Sequence, residues 1–563
     1  MNKPLAICTT LLIESSPQAL PLGAACIASA IKSSQETKDR FQVNLEVMTM
    51  EDPDFESRLT ESIAGQNPKY VLFSVYVWNR FLLESIARHI KEKLPASILI
   101  AGGPEVTANP ISLKNFDYTI SGEGELAVVK LLSLLEDTPD PKESELPQGI
   151  YSKKTSGSKL PSILRGETPQ LDLLASPYLD GTIDLKKYGG ALWELARGCP
   201  FKCSYCYESK GENKVRYFPM ERIEKELELF EKEKISQVFV LDPTYNASKK
   251  RALELLKTIE KKANGIFFYF EARAEFIDRE LAKAFTKIPC ALQFGLQSAD
   301  PEILKLVNRT LNKKIFTKNI SILNEEGVVF GFDLIYGLPK DNLEGFRKSM
   351  DFALSLYPNN LETFRLSVLP GTSLFETAHE LGLEFLSESP YNVTKSDTFS
   401  EANLAKAEQL SHACNIFYNQ GRAVPWFNSM VQVFHEKPSA LLECFSKFMD
   451  TMRIDSKKLD EDFRPHKEIE KLQLEFLEKE FNRRNKQNLI TVAKNIVMLN
   501  GAISRVQDEG KEETLSLSYH PDDLASQYAT DIQFFAKNCR KFKCNVKVFM
   551  TKNGPDWKTT QTR

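Results

Sequence analysis

Three thiols fall within eight residues of one another. They are Cys199, Cys203 and Cys206, inside "ELARGCPFKCSYCYESKG", residues Glu194 to Gly211. A disulfide takes two thiols and a closed zinc tetrahedron takes four ligands. No fourth cysteine or histidine lies nearby, and the next cysteine is Cys290, far along the chain. A [4Fe–4S] cluster usually takes four thiolates. Held by three, it keeps one iron open for a ligand that is not protein, as a catalytic metal site does. The spacing therefore favours an iron–sulfur cluster with the trio as its ligands. Zinc and unrelated loop cysteines are the alternatives.

The rest of the composition sets bounds. A chain of 563 residues exceeds one ordinary core and implies roughly two to four domains. Hydrophobic residues make up 42% and charged residues 26%, as in soluble globular proteins. The formal net charge of -3 provides neither a basic field for nucleic acid nor a polybasic membrane patch. The apolar run at the N-terminus is too short to span a membrane and lacks a small-residue cleavage site. Leu5 to Thr9 is expected to be a buried strand, and a cytoplasmic location follows. The ten cysteines are scattered apart from the trio and the pair Cys539/Cys544, which is no secreted disulfide framework. Cys26, Cys290 and Cys444 are each expected to act as small buried apolar residues.

The elements that must position the trio form two alternating series. In the first, "LAICTT", "VNLEVMTM", "YVLFSVYV", "ASILIAGGP" and "DYTISGEGE" read as strands. Helical stretches such as Phe81 to Leu94 lie between most of them. Apolar strands with helical crossovers predict an α/β, doubly wound (Rossmann/flavodoxin-like) parallel sheet over residues 1–137. Such sheets bind ligands at the carboxyl ends of their strands, where Gly102-Gly103-Pro104 and Gly122-Glu123-Gly124-Glu125 make tight turns. A binding loop and a plain strand-to-helix turn both fit these glycines. Residues 138–188, rich in Pro, Ser, Lys and Gly, read as a linker with one hairpin at most. The second series runs over 189–399 through "ALWELAR", "SQVFVLD", "IFFYFEAR", "CALQFGLQS", "VVFGFDLIYG" and "TFRLSVLPG". Met220 to Glu233 between them shows a helical period with Ile223, Leu227 and Phe230 on one face. Six βα units fall short of a full barrel and suit a partial (β/α)6 TIM-like one, with its active face at the strands' C-terminal ends. The trio directly follows the first of these strands. Residues 400–563 read as mainly helical with a small α/β region. Ser456 to Asn488 is a charged, solvated face, and Thr514 to Lys552 returns to strand, helix, strand. The six histidines are dispersed, with surface or core roles.

Cys-x-x-x-Cys-x-x-Cys after the first strand of a six-unit βα series closely resembles the radical S-adenosylmethionine (SAM) enzymes, over about Ala191 to Leu383. The resemblance implies that the open iron chelates SAM and that one electron from the cluster releases a 5′-deoxyadenosyl radical. It places Tyr205 beside adenine. Asp242 and Asn246 in "VLDPTYN" would face the methionine part or the substrate. It puts Glu271 and Arg273 of "FEARAE" at the third strand end, where an arginine can pair with the SAM carboxylate. Gln297 and Ser298 would serve ribose and carboxylate contacts. A structural ion pair is the alternative reading for each charged residue.

The first series, over Pro4 to Leu135, resembles the subfamily with a cobalamin (B12)-binding domain. That likeness implies a nucleotide tail lying along Ser74, Gly102, Gly103, Gly122 and Gly124. The histidine motif Asp-x-His-x-x-Gly of many cobalamin domains is absent. His89, inside a helix, is no cobalt ligand. The loop Tyr76-Val77-Trp78-Asn79 would cover the lower face of cobalt, with Trp78 packed on the sheet rim as the alternative. A degenerate domain that only positions substrate also fits. The implied function is a cobalamin-dependent radical SAM methyltransferase acting on an unactivated carbon of a small molecule. Radical rearrangement or cyclisation without methyl transfer is an alternative, as is a non-catalytic cobalamin or cluster sensor. Methylthiolation of RNA is disfavoured, since there is neither a second cysteine trio nor a basic tail. An electron donor such as flavodoxin or ferredoxin is implied, and neither nucleic acid nor membrane is expected as a partner. His412, Trp426 and Asn428 are candidates to face substrate, with core or surface roles as the plainer reading.

Overall fold

The computed structural model describes residues 3–155, 163–210, 214–462 and 464–561. Part of the expected linker, residues 156–162, and Gly211 of the cysteine stretch lie outside the described residues. The chain divides into two compact units. One comprises 1–292, 307–309 and 367–393, and the other 293–306, 310–366 and 394–563.

The first unit opens with strands β1 (Leu5–Leu12), β2 (Gln42–Thr49), β3 (Tyr70–Ser74), β4 (Ile98–Gly102) and β5 (Tyr118–Ile120). They are parallel, in the order β2-β1-β3-β4-β5. The order reverses between β1 and β3, which is the switch point where sheets of this kind open a crevice. Helices Leu22–Ser33 and Gly124–Asp137 cover one face, and Phe55–Gly65 and Arg80–Lys93 the other. Two apolar layers result, one around Ala24, Ala28, Ile31 and Val128, the other around Leu59, Ile63, Leu83 and Ile86. A sixth strand, β6 (Ile150–Ser152), pairs antiparallel with β5. It lies within the stretch expected to be a linker; at three residues it is too short to show a period.

The second sheet is built from β7 (Gly190–Trp193), then, after the short antiparallel pair β8 (Ala196–Arg197) and β9 (Arg216–Tyr217), from β10 (Gln237–Val240), β11 (Phe267–Ala272), β12 (Cys290–Gln297), β13 (Val329–Tyr336) and β14 (Asn360–Arg365). It is six-stranded and open, in the order β14-β13-β12-β11-β10-β7, an incomplete barrel. "ALWELAR" is not one strand. Asp242 Oδ1 accepts from the Leu195 and Ala196 amides, both at 2.9 Å, and turns the chain out of the sheet after Trp193. The helix Met220–Glu233 is present as its period predicts, with Ile223, Leu227 and Phe230 buried.

The C-terminal part of the second unit is helical. Glu401–Cys414 runs into a single π-turn, Asn415–Gln420, whose Phe417 ring contacts Trp426, Phe427, Phe445 and Phe476. Gln473 donates to the carbonyls of Phe417 and Gly421 (2.7 and 2.9 Å), acceptors that the wide turn leaves spare. The expected helix around 523–542 is three short pieces, Pro521–Leu524, Gln527–Thr530 and Ile532–Asn538. Ser526 and Asp531 accept from the Tyr528 and Phe534 amides and start each piece anew. The chain closes on a three-stranded antiparallel sheet formed by Glu513–Leu517, Cys544–Thr551 and Gly554–Gln561. Among the described residues one helix, Gln487–Glu509, is long and apolar enough to cross a membrane, and most of it is buried as a core helix.

Candidate active site

The cysteine loop is fixed by backbone bonds on two sides. Ser204 donates its amide to Val307 O at 3.0 Å, and its carbonyl accepts from the Leu374 amide at 2.9 Å. Asn308 Nδ2 adds a bond to Lys202 O at 2.6 Å. Cys203 is buried, Cys199 and Cys206 are half-buried, and none of the three is in a disulfide. Burial pushes the Cys199 thiol up. Among the described residues no three His, Cys, Asp or Glu side chains gather tightly enough to hold one metal ion. A cuboidal cluster does not require that, because each thiolate binds a different iron. Arg309 Nη1 lies 3.8 Å from Cys203 Sγ. Tyr205 sits in the same neighbourhood, its phenol pushed up by burial first and then by the nearby thiols.

The strand-end residues divide into those spent on the fold and those with spare atoms. Asn246 forms a reciprocal pair with the backbone of Arg273, accepting from its amide and donating to its carbonyl, both at 2.9 Å. This orients Arg273, whose guanidinium lies 3.9 Å from the Phe201 ring centroid and bonds Glu275 at 2.8 Å. Arg273 is 8% exposed, and its Nε is buried without a hydrogen-bond partner. Glu271 lies near the end of β11, and its carboxyl is raised by desolvation and then by Glu208. In the second unit Gln297 has φ 66° and a buried Oε1 without a partner. Ser298 is buried against Ser349 and accepts from the Asp300 amide, so its hydroxyl serves the turn.

Asp242 borders a narrow cleft with Ala196, Gly198, Thr244, Tyr245 and Arg251. Burial outweighs its two amide bonds and raises its pKa to about 7. An acid raised in the folded state makes that state bind more protons than the unfolded one, so stability falls as pH rises toward the folded value. The loss runs from the ordinary carboxylate range to about pH 7. Asp242→Asn keeps an oxygen for both amides and removes the titration. Its melting temperature relative to wild type is expected to climb between pH 5 and 7 and level off above. A constant difference in scanning calorimetry would contradict this.

At the carboxyl ends of the first sheet, Tyr76 and Trp78 stack with centroids 4.5 Å apart and planes 7° apart. Trp78 is 46% exposed. Asn79, fully buried, holds this loop by accepting from the Tyr76 amide at 2.8 Å and donating to Thr10 Oγ1 at 3.1 Å. Ser74 O accepts from Thr10 Oγ1 at 2.9 Å. Gly103 has φ 111°, and a Cβ there would stand 2.5 Å from Val75 O. Gly122 has φ 100° and lies under Arg165 and Gly166. Gly124 abuts Ile27, and only Gly102 has ordinary space around it. The hydroxyl of Ser121, beside Gly122, is buried without a partner. His89 lies in the helix Arg80–Lys93, next to Arg88.

Several residues escaped the sequence reading. Arg197 pairs with Glu123, Glu125 and Glu194 at 2.8, 2.8 and 2.9 Å. Arg216 also binds Glu123. Burial works against the Glu125 charge, yet Arg197 holds its carboxyl below the usual range. The glutamates of the Gly122–Glu125 turn thus join the glycine loop to the residue two before Cys199. Gly23 leaves room for the Tyr76 hydroxyl, which a Cβ there would have to displace from 2.4 Å. Of the helical-region candidates, Trp426 is buried in the Phe417 cluster, and His412 Nδ1 lies 2.6 Å from Asp460 Oδ2. Asn428 donates to Leu354 O at 3.0 Å.

Residues 193–353, which include the trio, match the Radical SAM superfamily. The chain carries a radical SAM domain. Over 311 residues it is 28% identical to the cobalamin-dependent radical SAM methyltransferase TokK of Streptomyces tokunonensis, covering 50% of this chain and 44% of TokK. It is 29% identical over 316 residues to the 2-(S-pantetheinyl)-carbapenam-3-carboxylate methyltransferase of Streptantibioticus cattleyicolor, covering 51% and 45%. The matches thus span less than half the length of these two relatives. Among solved structures, the cobalamin-dependent SAM radical enzyme OxsB with aqua-cobalamin and SAM bound superposes with a TM-score of 0.60 at 14% identity, over 86% of this chain and 80% of OxsB. The doubly wound sheet followed by an incomplete barrel, seen here around the radical SAM domain, is that shared fold.

Proposed function

We propose that the chain is a cobalamin-dependent radical SAM enzyme that methylates an unactivated carbon of a small molecule. The observation that carries this reading is the trio of cysteines, none in a disulfide, on a loop held from both sides by backbone bonds. In this reading residues 1–137 bind cobalamin, 138–188 link, 189–399 hold the cluster and SAM, and 400–563 have an unassigned role. When bound, the cluster supplies one electron, SAM the radical source and the methyl group, and cobalamin the methyl carrier.

The residues fit those groups. Cys199, Cys203 and Cys206 hold the cluster. The buried, unpaired Arg273 Nε suits the SAM carboxylate, and the Asn246 staple keeps it aimed. Glu271 serves a polar part of SAM, with Asp242 holding the backbone near it. Tyr205 lies beside the adenine. Ser74, Gly102, Gly103, Gly122 and Gly124 form the rim for the nucleotide tail, where the buried Ser121 hydroxyl wants a partner. The Tyr76–Trp78 stack, with Trp78 exposed and Tyr76 partly buried, would cover the lower face of the corrin, where a flat apolar face disfavours bound water. A flavodoxin or ferredoxin provides electrons, and the setting is the cytoplasm.

Anaerobic purification with iron, sulfide and corrin quantification tests the cofactor set. Turnover with SAM and reductant is expected to yield 5′-deoxyadenosine together with S-adenosylhomocysteine. 5′-Deoxyadenosine alone would replace methylation by rearrangement or cyclisation. Neither product under any reducing condition would sink the enzymatic reading.

A further inference from the structure

The Cys203 sulfur has a cationic neighbour that the sequence motif does not include. Arg309 follows the helix Pro301–Leu306 at the end of a three-residue return, Val307–Arg309. Two bonds dock this return on the cysteine loop, Ser204 N to Val307 O at 3.0 Å and Asn308 Nδ2 to Lys202 O at 2.6 Å. Asn308 takes φ 54°, a left-handed conformation that asparagine tolerates, and so turns the chain sharply before Arg309. The guanidinium is thereby delivered to Cys203 Sγ, 3.8 Å from Nη1. Tyr205, Cys203 and Glu275 are among its neighbours and favour its charge, although burial opposes it. Glu275 already has Arg273 at 2.8 Å.

We propose that Arg309 is a positioning residue that donates to the Cys203 sulfur and raises the reduction potential of the cluster held by the three thiols. This rests on the cluster reading above. A donor to a ligating sulfur withdraws negative charge from it, and a cation beside the cluster stabilises the form that has gained an electron. Both effects ease one-electron reduction. No bond is made or broken, since the electron passes from an external reductant into the cluster.

The experiment uses the full-length protein, anaerobically reconstituted with iron and sulfide, without SAM. The cluster is titrated with dithionite in the presence of redox dyes and followed by the electron paramagnetic resonance signal of the reduced state. Arg309→Met is expected to retain the iron and sulfide content of wild type. Its reduction equilibrium should move at least tenfold toward the oxidised form, a drop in midpoint of about 59 mV for one electron. Arg309→Lys, which keeps the charge but loses the planar fork, should fall between the two. If Arg309→Met fails to load, Arg309→Gln decides, with the same downward shift expected. A loaded neutral variant with the wild-type midpoint would overturn the proposal. Wild-type protein that binds no iron and sulfide would overturn the cluster reading itself, and is told apart by its metal content before any titration.

Discussion

Cys203→Ala is expected to lower 5′-deoxyadenosine formation to the level of an enzyme-free control. Of the three thiols Cys203 is the most buried, at 7% exposed, and it accepts from Arg309. A cube held by three thiolates has no protein ligand in reserve, so losing one leaves two irons without a cysteine. The variant should also lose iron, sulfide and the charge-transfer absorption of a cluster. Cys444→Ala, which alters a half-buried thiol in the helical region, is expected to retain all of these. Liquid chromatography of anaerobic SAM reactions checks the product, and a variant that still makes it would refute the assignment of the trio.

The second large effect is expected at Arg197. Its guanidinium, 14% exposed, sits among Glu123, Glu125 and Glu194, and the Glu125 side chain is only 8% exposed. Breaking a buried ion pair by removing one partner costs about 3–5 kcal/mol, because the other charge stays buried and uncompensated. Arg197→Met is therefore expected to lower the unfolding free energy by about that amount, read from the denaturant midpoint of the first transition. Arg197→Met combined with Glu125→Gln should regain part of the loss, since it removes the stranded charge. A single variant within about 0.5 kcal/mol of wild type, the range of ordinary surface substitutions, would show that the carboxylates find compensation elsewhere.

What could be read from sequence follows from how locally each feature is determined. The helix Met220–Glu233 was legible because its own residues carry the period. The alternation of strands and helices gave both sheets for the same reason. The break inside "ALWELAR" was not legible, since its cause, Asp242, lies 46 residues beyond Ala196. The broken helix around 523–542 was partly legible: Ser526 and Asp531 are good caps, yet helical composition masked them. At the site, the trio stood out because its three ligands share one loop. Arg309 did not, because it lies 106 residues from Cys203 and only the folded return delivers it. Asn246 and Asp242 stand out for their chemistry, and the fold engages Asp242 Oδ1 and both ends of the Asn246 amide with backbone groups. Residue type alone does not separate a polar side chain that braces a strand end from one that meets a ligand.

The arginine that three acids share has a consequence for engineering. Glu123 and Glu125 belong to the segment that carries the glycine loop, and Arg197 precedes the thiols. A graft that imports either stretch from a distant homologue must bring complementary charges with it. A donor module lacking both acids would leave Arg197 with Glu194 alone, and one keeping them opposite a neutral residue would strand Glu125, while Glu123 retains Arg216. Successful chimeras should therefore exchange these positions together, and libraries that vary them independently should be depleted of folded members.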